Sequence, residues 1–182
     1  MTAAKQKPVS RDRCGGDRHV DMRAVMGAFA TGVTVVTSGR ELPHGMTANA
    51  FTSVSLDPAM VLVCVKQSAA MHSTILTNGM FAVSILAAGQ EELARYFASP
   101  SRPRDEREFR TVDFRPGEHT GSPIIEGNLG WVECELAAVY EGGDHSIFLG
   151  SVLDIGHGDR TDALVFHTGR FSVLATDVHG VR

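Results

Sequence analysis

The sequence lacks a long apolar run, a paired-cysteine pattern and a charge excess of one sign. No stretch of its 182 residues approaches the ~20 consecutive apolar residues of a membrane helix, and the N-terminus is too polar for a secretory signal. Neither a membrane anchor nor an exported precursor is expected. The three cysteines, Cys14, Cys64 and Cys134, are odd in number and form no CxxC pair. A disulfide framework and a zinc site are therefore not suggested, and a reducing cytoplasm fits. The usual catalytic signatures are missing too: no GxGxxG after a strand, no P-loop, no GxSxG elbow and no HExxH. The eight histidines are scattered, without helical metal-site spacing. Enzymes that move protons commonly show a poised histidine or paired carboxylates. Their absence is informative only where a bound cofactor carries the chemistry.

What is present suits an ordinary globular domain: 43% hydrophobic, 21% charged, formal net charge −4. The length fits one domain over residues 20–182, preceded by a flexible leader over 1–19. Charge is uneven. Residues 1–23 carry six basic side chains against three acidic ones, and the remaining 159 carry 11 against 18. The basic segment has no aromatic for stacking, and the body is acidic, so a solvated tail is expected rather than a nucleic-acid surface.

From Val20 the spacing of apolar residues suits a short amphipathic helix stopped by Gly32. Val33–Thr37 is β-branched throughout and reads as a strand. Gly39–Gly45 is a turn. Met46–Leu56 reads as a second strand ended by Asp57-Pro58, and Ala59–Val65 as a strand buried on both faces. His72–Asn78 reads as a helix closed by Gly79, Phe81–Leu86 as a strand, and Gln90–Ala98 as a helix. Residues 99–123 form a long loop ordered around Phe109 and Phe114. Arg102, Arg104, Arg107 and Arg110 in it, interleaved with acids, read as a self-neutralised surface. Strands follow at Leu129–Tyr140, Ser146–Ile155 and Ala163–Phe166, with Gly142-Gly143-Asp144 as a hairpin turn. Many strands, few helices and no βαβ alternation predict a mainly β, closed antiparallel barrel with peripheral helices. Cys64 and Cys134 are expected as small core residues, and the only tryptophan, Trp131, in the barrel or a dimer contact.

Gly45–Ser55 mixes small residues and hydroxyls on a strand leaving a glycine turn. Composition alone favours an ordinary exposed ladder, against a backbone-lined shelf that a flat ring could approach. Lys66-Gln67-Ser68 offers one cation and a hydroxyl suited to phosphate, and equally a solvated strand end. His145 alone reads as a loop histidine.

Taken together, Met26–Thr37, Gly45–Pro58 and Gly142-Gly143-Asp144-His145 resemble the flavin reductase family, from about Met22 to Leu174. The resemblance implies an FMN-binding split barrel of Greek-key type that forms a homodimer and oxidises NADH or NADPH. It also implies that reduced FMN or FAD diffuses to a partner flavin-dependent monooxygenase in aromatic hydroxylation or secondary metabolism. Thr47, Ala48, Asn49 and Ala50 would border the isoalloxazine, with Thr52 and Ser53 nearby. Lys66 and Ser68 would lie near the phosphate, and Phe81 and Ala82 near the chain after the ring. Phe97 and Phe109 stand where the family has aromatics close to the flavin. His145 would position the nicotinamide, with Gly32, Val33, Arg170 and Phe171 lining the same side. Many relatives carry Ser at Ala50 and Asn at Ser84, which leaves FMN against FAD open. NADH is favoured because no basic cluster is placed for a 2′-phosphate. Hydride transfer between stacked rings needs positioning rather than a general acid, which suits a site built of Thr, Ala, Asn and glycine turns. The alternatives are a barrel that retains its flavin as an electron carrier or sensor, and a pyridoxal-phosphate oxidase or haem-degrading relative on fold analogy alone.

Overall fold

The computed structural model describes residues 16–174, with side chains from Met22 onward. Most of the expected leader, and Cys14, lie outside the described residues. A helix α1 (Gly16–Gly27) precedes a two-residue strand β1 (Thr31–Gly32) and then β2 (Thr34–Ser38), β3 (His44–Ala48), β4 (Phe51–Leu56) and β5 (Ala59–Lys66). Helix α2 (Ala70–Asn78), β6 (Met80–Ile85) and α3 (Glu91–Ala98) follow. A small hairpin β7 (Phe114–Pro116) and β8 (Pro123–Ile125) interrupts the long loop. The described residues end in two hairpins, β9 (Gly130–Gly142) with β10 (His145–His157), and β11 (Ala163–His167) with β12 (Arg170–Leu174).

Seven strands form one antiparallel sheet in the order β3-β2-β6-β9-β10-β5-β4. Its two outermost strands, β3 and β4, are consecutive in the chain and joined only by Asn49-Ala50. Two residues span only about 7 Å, so the sheet has to curl until its edges meet. Beside the seam, the Cys64 N–H donates to the Ala50 carbonyl at 2.9 Å, which extends the β4–β5 ladder by one residue. The barrel is therefore split along the turn that carries the candidate shelf. Residues expected as one strand, Met46–Leu56, are two strands bent at this seam.

One core fills the barrel, around Val63, Val65, Met71, Phe81, Cys134 and Phe148. A second lies outside it under α3, around Val33, Val35, Leu86, Phe97, Phe109 and Leu164. Strand β2 separates the two, and all five of its residues are buried. Two-sided burial thus falls on β2. In β5, Val61, Val63 and Val65 face the barrel core, while Leu62 and Cys64 are only half-buried on the other face. The alternation is invisible in the sequence because both faces are apolar.

Helix α1 starts at Gly16 and ends at Gly27, earlier than expected at both ends. Tight backbone bonds Ala28 N–H to Val25 O and Phe29 N–H to Met26 O close it, and the Thr168 N–H caps the Gly27 carbonyl at 2.7 Å. Gly32 instead pairs with Val165 in β11. Helix α2 ends as expected at Gly79, whose φ of 65° is the left-handed conformation glycine adopts freely. The β9–β10 turn carries Gly143 at φ 75° and places His145 opposite Gly142.

Candidate active site

The bend at Asn49-Ala50 opens a cavity of about 640 Å³ on the outer face of the barrel. Its floor is β5, through Leu62 and Cys64. Thr31 and Gly32 form one side, and Asn49, Ala50 and Thr52 the other. A side chain at Gly32 would meet no heavy atom within 4 Å, so the backbone there borders open space. A smaller cavity of about 170 Å³ lies beyond Asn49, lined by Val33, Thr47, Ala98, Phe166 and Phe171. Asn49 lines both.

Seven of the expected residues line these two cavities. Gly32, Asn49, Ala50 and Thr52 line the larger cavity, and Val33, Thr47 and Phe171 the smaller. Ala48 is buried at the end of β3, where its carbonyl accepts from Thr34 Oγ1 at 2.7 Å. Ser53 is exposed one residue past Thr52, on the opposite side of an alternating strand. Lys66 and Ser68 are exposed at the end of β5 and just after it. Lys66 shares the cavity face, since Leu62, Cys64 and Lys66 alternate with the buried valines, and it pairs across the sheet with His145. Arg170 is exposed at the β11–β12 turn.

The four expected contacts Phe81, Ala82, Phe97 and Phe109 belong to the cores instead. Phe81 is wholly buried inside the barrel, and Ala82 beside it is equally closed. Phe97 and Phe109 pack on each other with ring centroids 5.2 Å apart in the outer core. Their side chains reach neither cavity. The reason lies in the neighbouring glycine: a Cβ at Gly45 would approach Phe97 Cδ1 to 2.6 Å, so both rings close over bare backbone.

His145 is half-exposed. Its Nδ1 lies 2.7 Å from Asp144 Oδ1, which fixes the ring. The hydrogen bond to His145 holds the Asp144 carboxyl below the usual carboxylate range. Burial pushes the Cys64 thiol up and the Cys134 thiol up to about 12, so both remain protonated at neutral pH. Cys134 is the core residue expected, but Cys64 lines the cavity.

The long loop is more than a solvated surface. Glu108 is 1% exposed and gathers three donors: His44 Nδ1 at 2.8 Å, Arg102 Nε at 2.9 Å and the Gly45 N–H at 3.2 Å. Arg102 also donates to Ser99 O at 2.7 Å and to Gly45 O. Burial raises the Glu108 carboxyl, but the hydrogen bonds from His44, Arg102 and Gly45 outweigh it and hold it below its ordinary value. Arg104, Arg107 and Arg110 are exposed as expected. The cluster pins the loop to β3, one residue before the strand reaches Met46 and Thr47. The Thr47 hydroxyl in turn donates to Ala94 O at 2.6 Å.

Sequence reasoning missed His44, Glu108, Leu62 and Cys64. The acidic and basic residues of the loop alternate without a period, so nothing marked which pair would be buried. A further cavity of about 450 Å³ has Glu126, Asp159 and Asp162 in its lining with a single arginine, Arg160. That charge balance repels a phosphate, unlike the face bearing Lys66.

A flavin reductase like domain matches residues 26–175. An NADH-dependent FAD reductase of Streptomyces globisporus is 49% identical over 158 residues, 87% of each chain. A solved structure of the flavin reductase component of a bacterial two-component tryptophan halogenase superposes with a TM-score of 0.83 at 49% identity, over 87% of this chain and 99% of that one. The Streptomyces globisporus C-1027 NADH:FAD oxidoreductase in complex with NAD and FAD fragments gives 0.83 at 46%, over 92% and 99%.

Proposed function

The chain belongs to the flavin reductase-like family, and from that premise we propose that it oxidises NADH with FAD or FMN as acceptor. It then supplies the reduced flavin to a separate flavin-dependent monooxygenase, the pairing carried in the name of a 33% identical reductase subunit of Mycobacterium tuberculosis. The observation that carries this reading is one continuous face. The small-residue cavity at Asn49-Ala50, the Lys66 ammonium and His145 lie along the same side of β5 and β10.

When bound, the flavin supplies a two-electron acceptor for the hydride of NADH. The protein's part is to hold, orient and dry the partners. Asn49, Ala50 and Thr52 present short side chains and backbone at the seam, so a flat ring can approach closely. Leu62, Cys64 and Phe51 exclude water from the cavity floor. Lys66, beyond Cys64 on the same face, offers a cation to a phosphate. His145, held through Nδ1 by Asp144, offers Nε2 to the nicotinamide. Since the gain is positional, no side chain in this set need act as a proton donor.

The deciding assay is NADH oxidation by the purified protein with added FAD, FMN or riboflavin. Turnover that rises and saturates with free flavin supports a diffusible reductase and ranks the flavins. No turnover with any flavin, with NADH or NADPH, would leave the flavin-retaining carrier as the better reading. His145→Ala should raise the KM for NADH about fivefold, the worth of one hydrogen bond, with flavin affinity unchanged. Lost flavin affinity with unaltered NADH kinetics would remove His145 from the nicotinamide site.

A homodimer accompanies this reading. Apolar side chains stand in solvent on β4, β10, α1 and just after α1: Leu56 is 93% exposed, Ile155 64%, Val25 69% and Phe29 66%. A lone chain rarely leaves so much apolar surface bare. Equilibrium sedimentation should give twice the 19.5 kDa of the chain; a single-chain mass would overturn it. No helix among the described residues is long and apolar enough to cross a membrane, and the cytoplasm is the compartment we assign.

A further inference from the structure

Three threonines line the larger cavity, and only one has an uncommitted hydroxyl. Thr34 Oγ1 donates to Ala48 O at 2.7 Å, and Thr52 Oγ1 to Ser53 O at 3.3 Å. Thr31 Oγ1 is closed to solvent and has no partner among the described residues. Two other buried polar atoms share that condition, Ser122 Oγ and Asn128 Oδ1, but neither residue lines this cavity. A buried hydroxyl left unpaired forfeits the hydrogen bonds it makes in water, and native structures seldom tolerate one without a reason.

Thr31 is tightly placed. It lies in β1 opposite Phe166, next to Gly32, where the backbone borders open space. Its neighbours across the cavity include Leu62, Cys64 and Ile85, none of which carries a side-chain oxygen to pair with it. Rotation by one staggered step about the Cα–Cβ bond moves the oxygen to the position that the methyl or the hydrogen held, without moving the backbone.

We infer that Thr31 is a flavin-anchoring residue whose hydroxyl is left unpaired by the protein and bonds a polar atom of the bound flavin. The inference rests on the flavin-reductase reading and extends it to a residue outside the expected set. It carries an unusual pair of consequences. In the flavin-free chain the hydroxyl costs stability, and in the complex it contributes affinity. Thr31→Val keeps the β-branched shape that suits a strand and removes only the hydroxyl.

The test measures FAD dissociation constants by quenching of flavin fluorescence, together with urea midpoints of the flavin-free proteins. Thr31→Val should bind FAD roughly three- to tenfold more weakly, with a midpoint equal to or above that of the parent chain. Thr31→Ser should restore most of the affinity. The KM for NADH at saturating FAD should stay unchanged in both. Affinity equal to the parent's in Thr31→Val would overturn the inference. A lowered midpoint would also overturn it, because it would mean the hydroxyl serves the fold. A change confined to the KM for NADH would assign Thr31 to the nicotinamide instead and equally overturn it. If the parent chain binds no flavin, the functional reading itself fails and this one falls with it.

Discussion

Glu108→Ala should destabilise the protein by about 3–5 kcal/mol, the cost of removing one partner from a buried ion pair. The carboxylate is 1% exposed; His44 loses its acceptor with it, and Arg102, whose side chain is 6% exposed, loses its only carboxylate partner among the described residues. The Gly45 N–H is left without one too. The same strand carries Thr47 to the smaller cavity two residues on, so flavin affinity should fall along with the urea midpoint. Glu108→Gln keeps the shape and one acceptor oxygen but removes the charge that Arg102 needs, and should cost less. The double variant Glu108→Ala with Arg102→Ala should recover part of the loss, since no charge is then stranded. The pH dependence has a definite sign. The carboxyl is held below its ordinary value in the folded state. Its contribution is therefore complete above the unfolded carboxyl's pKa of about 4.3, and is lost as pH falls from there through the folded value. Glu108→Gln should lack that step. A midpoint loss in Glu108→Ala below about 1 kcal/mol, the value expected of a surface pair, would show that the cluster does not hold the loop.

The same residues show how far sequence reasoning reaches. Strand positions were legible because β-branched runs and turn glycines are local signals. Gly79 closing α2 and Gly143 in the β9–β10 turn follow from backbone preference alone. A cavity at Asn49-Ala50 was foreshadowed only through the family resemblance, since composition alone favoured an ordinary exposed ladder. Three things were not. The two faces of β5 are both apolar, so the sequence carries no sign that Leu62 and Cys64 would face a cavity. The break between β3 and β4 follows from closing a seven-stranded sheet, a global constraint that no window of residues expresses. The burial of Arg102 and Glu108 depends on His44, which lies 64 positions before Glu108; within the loop they look like their exposed neighbours. The aromatics Phe97 and Phe109 show the converse error. Their positions suggested a ring-binding role, but the bare backbone at Gly45 draws them into the core.

Glu133→Ala should have a comparable effect for a different reason, and with the opposite consequence for the site. Glu133 is wholly buried on β9, where Oε1 accepts from the Thr120 N–H and Thr120 Oγ1, each at 2.7 Å, and from the His119 N–H at 3.2 Å. Oε2 accepts from the Glu118 N–H at 3.0 Å. The carboxylate stands in for the strand or helix partner that the turn at residues 117–121 lacks. Removing it strands four donors at once. At about 1–3 kcal/mol for each that stays buried, the loss should exceed about 3 kcal/mol unless the turn opens to water. That opening is itself observable as faster amide exchange at Glu118, His119 and Thr120. Glu133→Gln should cost far less, because the amide oxygen can serve the three donors on Oε1 and only the Glu118 N–H faces a donor. Space alone would rank the two variants similarly only if the turn were held by packing. Gly117 argues against packing, since its missing Cβ would lie 2.5 Å from Glu133 Cδ and the backbone is drawn up to the carboxylate itself. None of residues 117–121 lines either cavity of the active site. FAD affinity per folded molecule should therefore survive in Glu133→Ala and fall in Glu108→Ala. Equal losses of affinity in the two would mean that flavin binding tracks general stability rather than the position of β3.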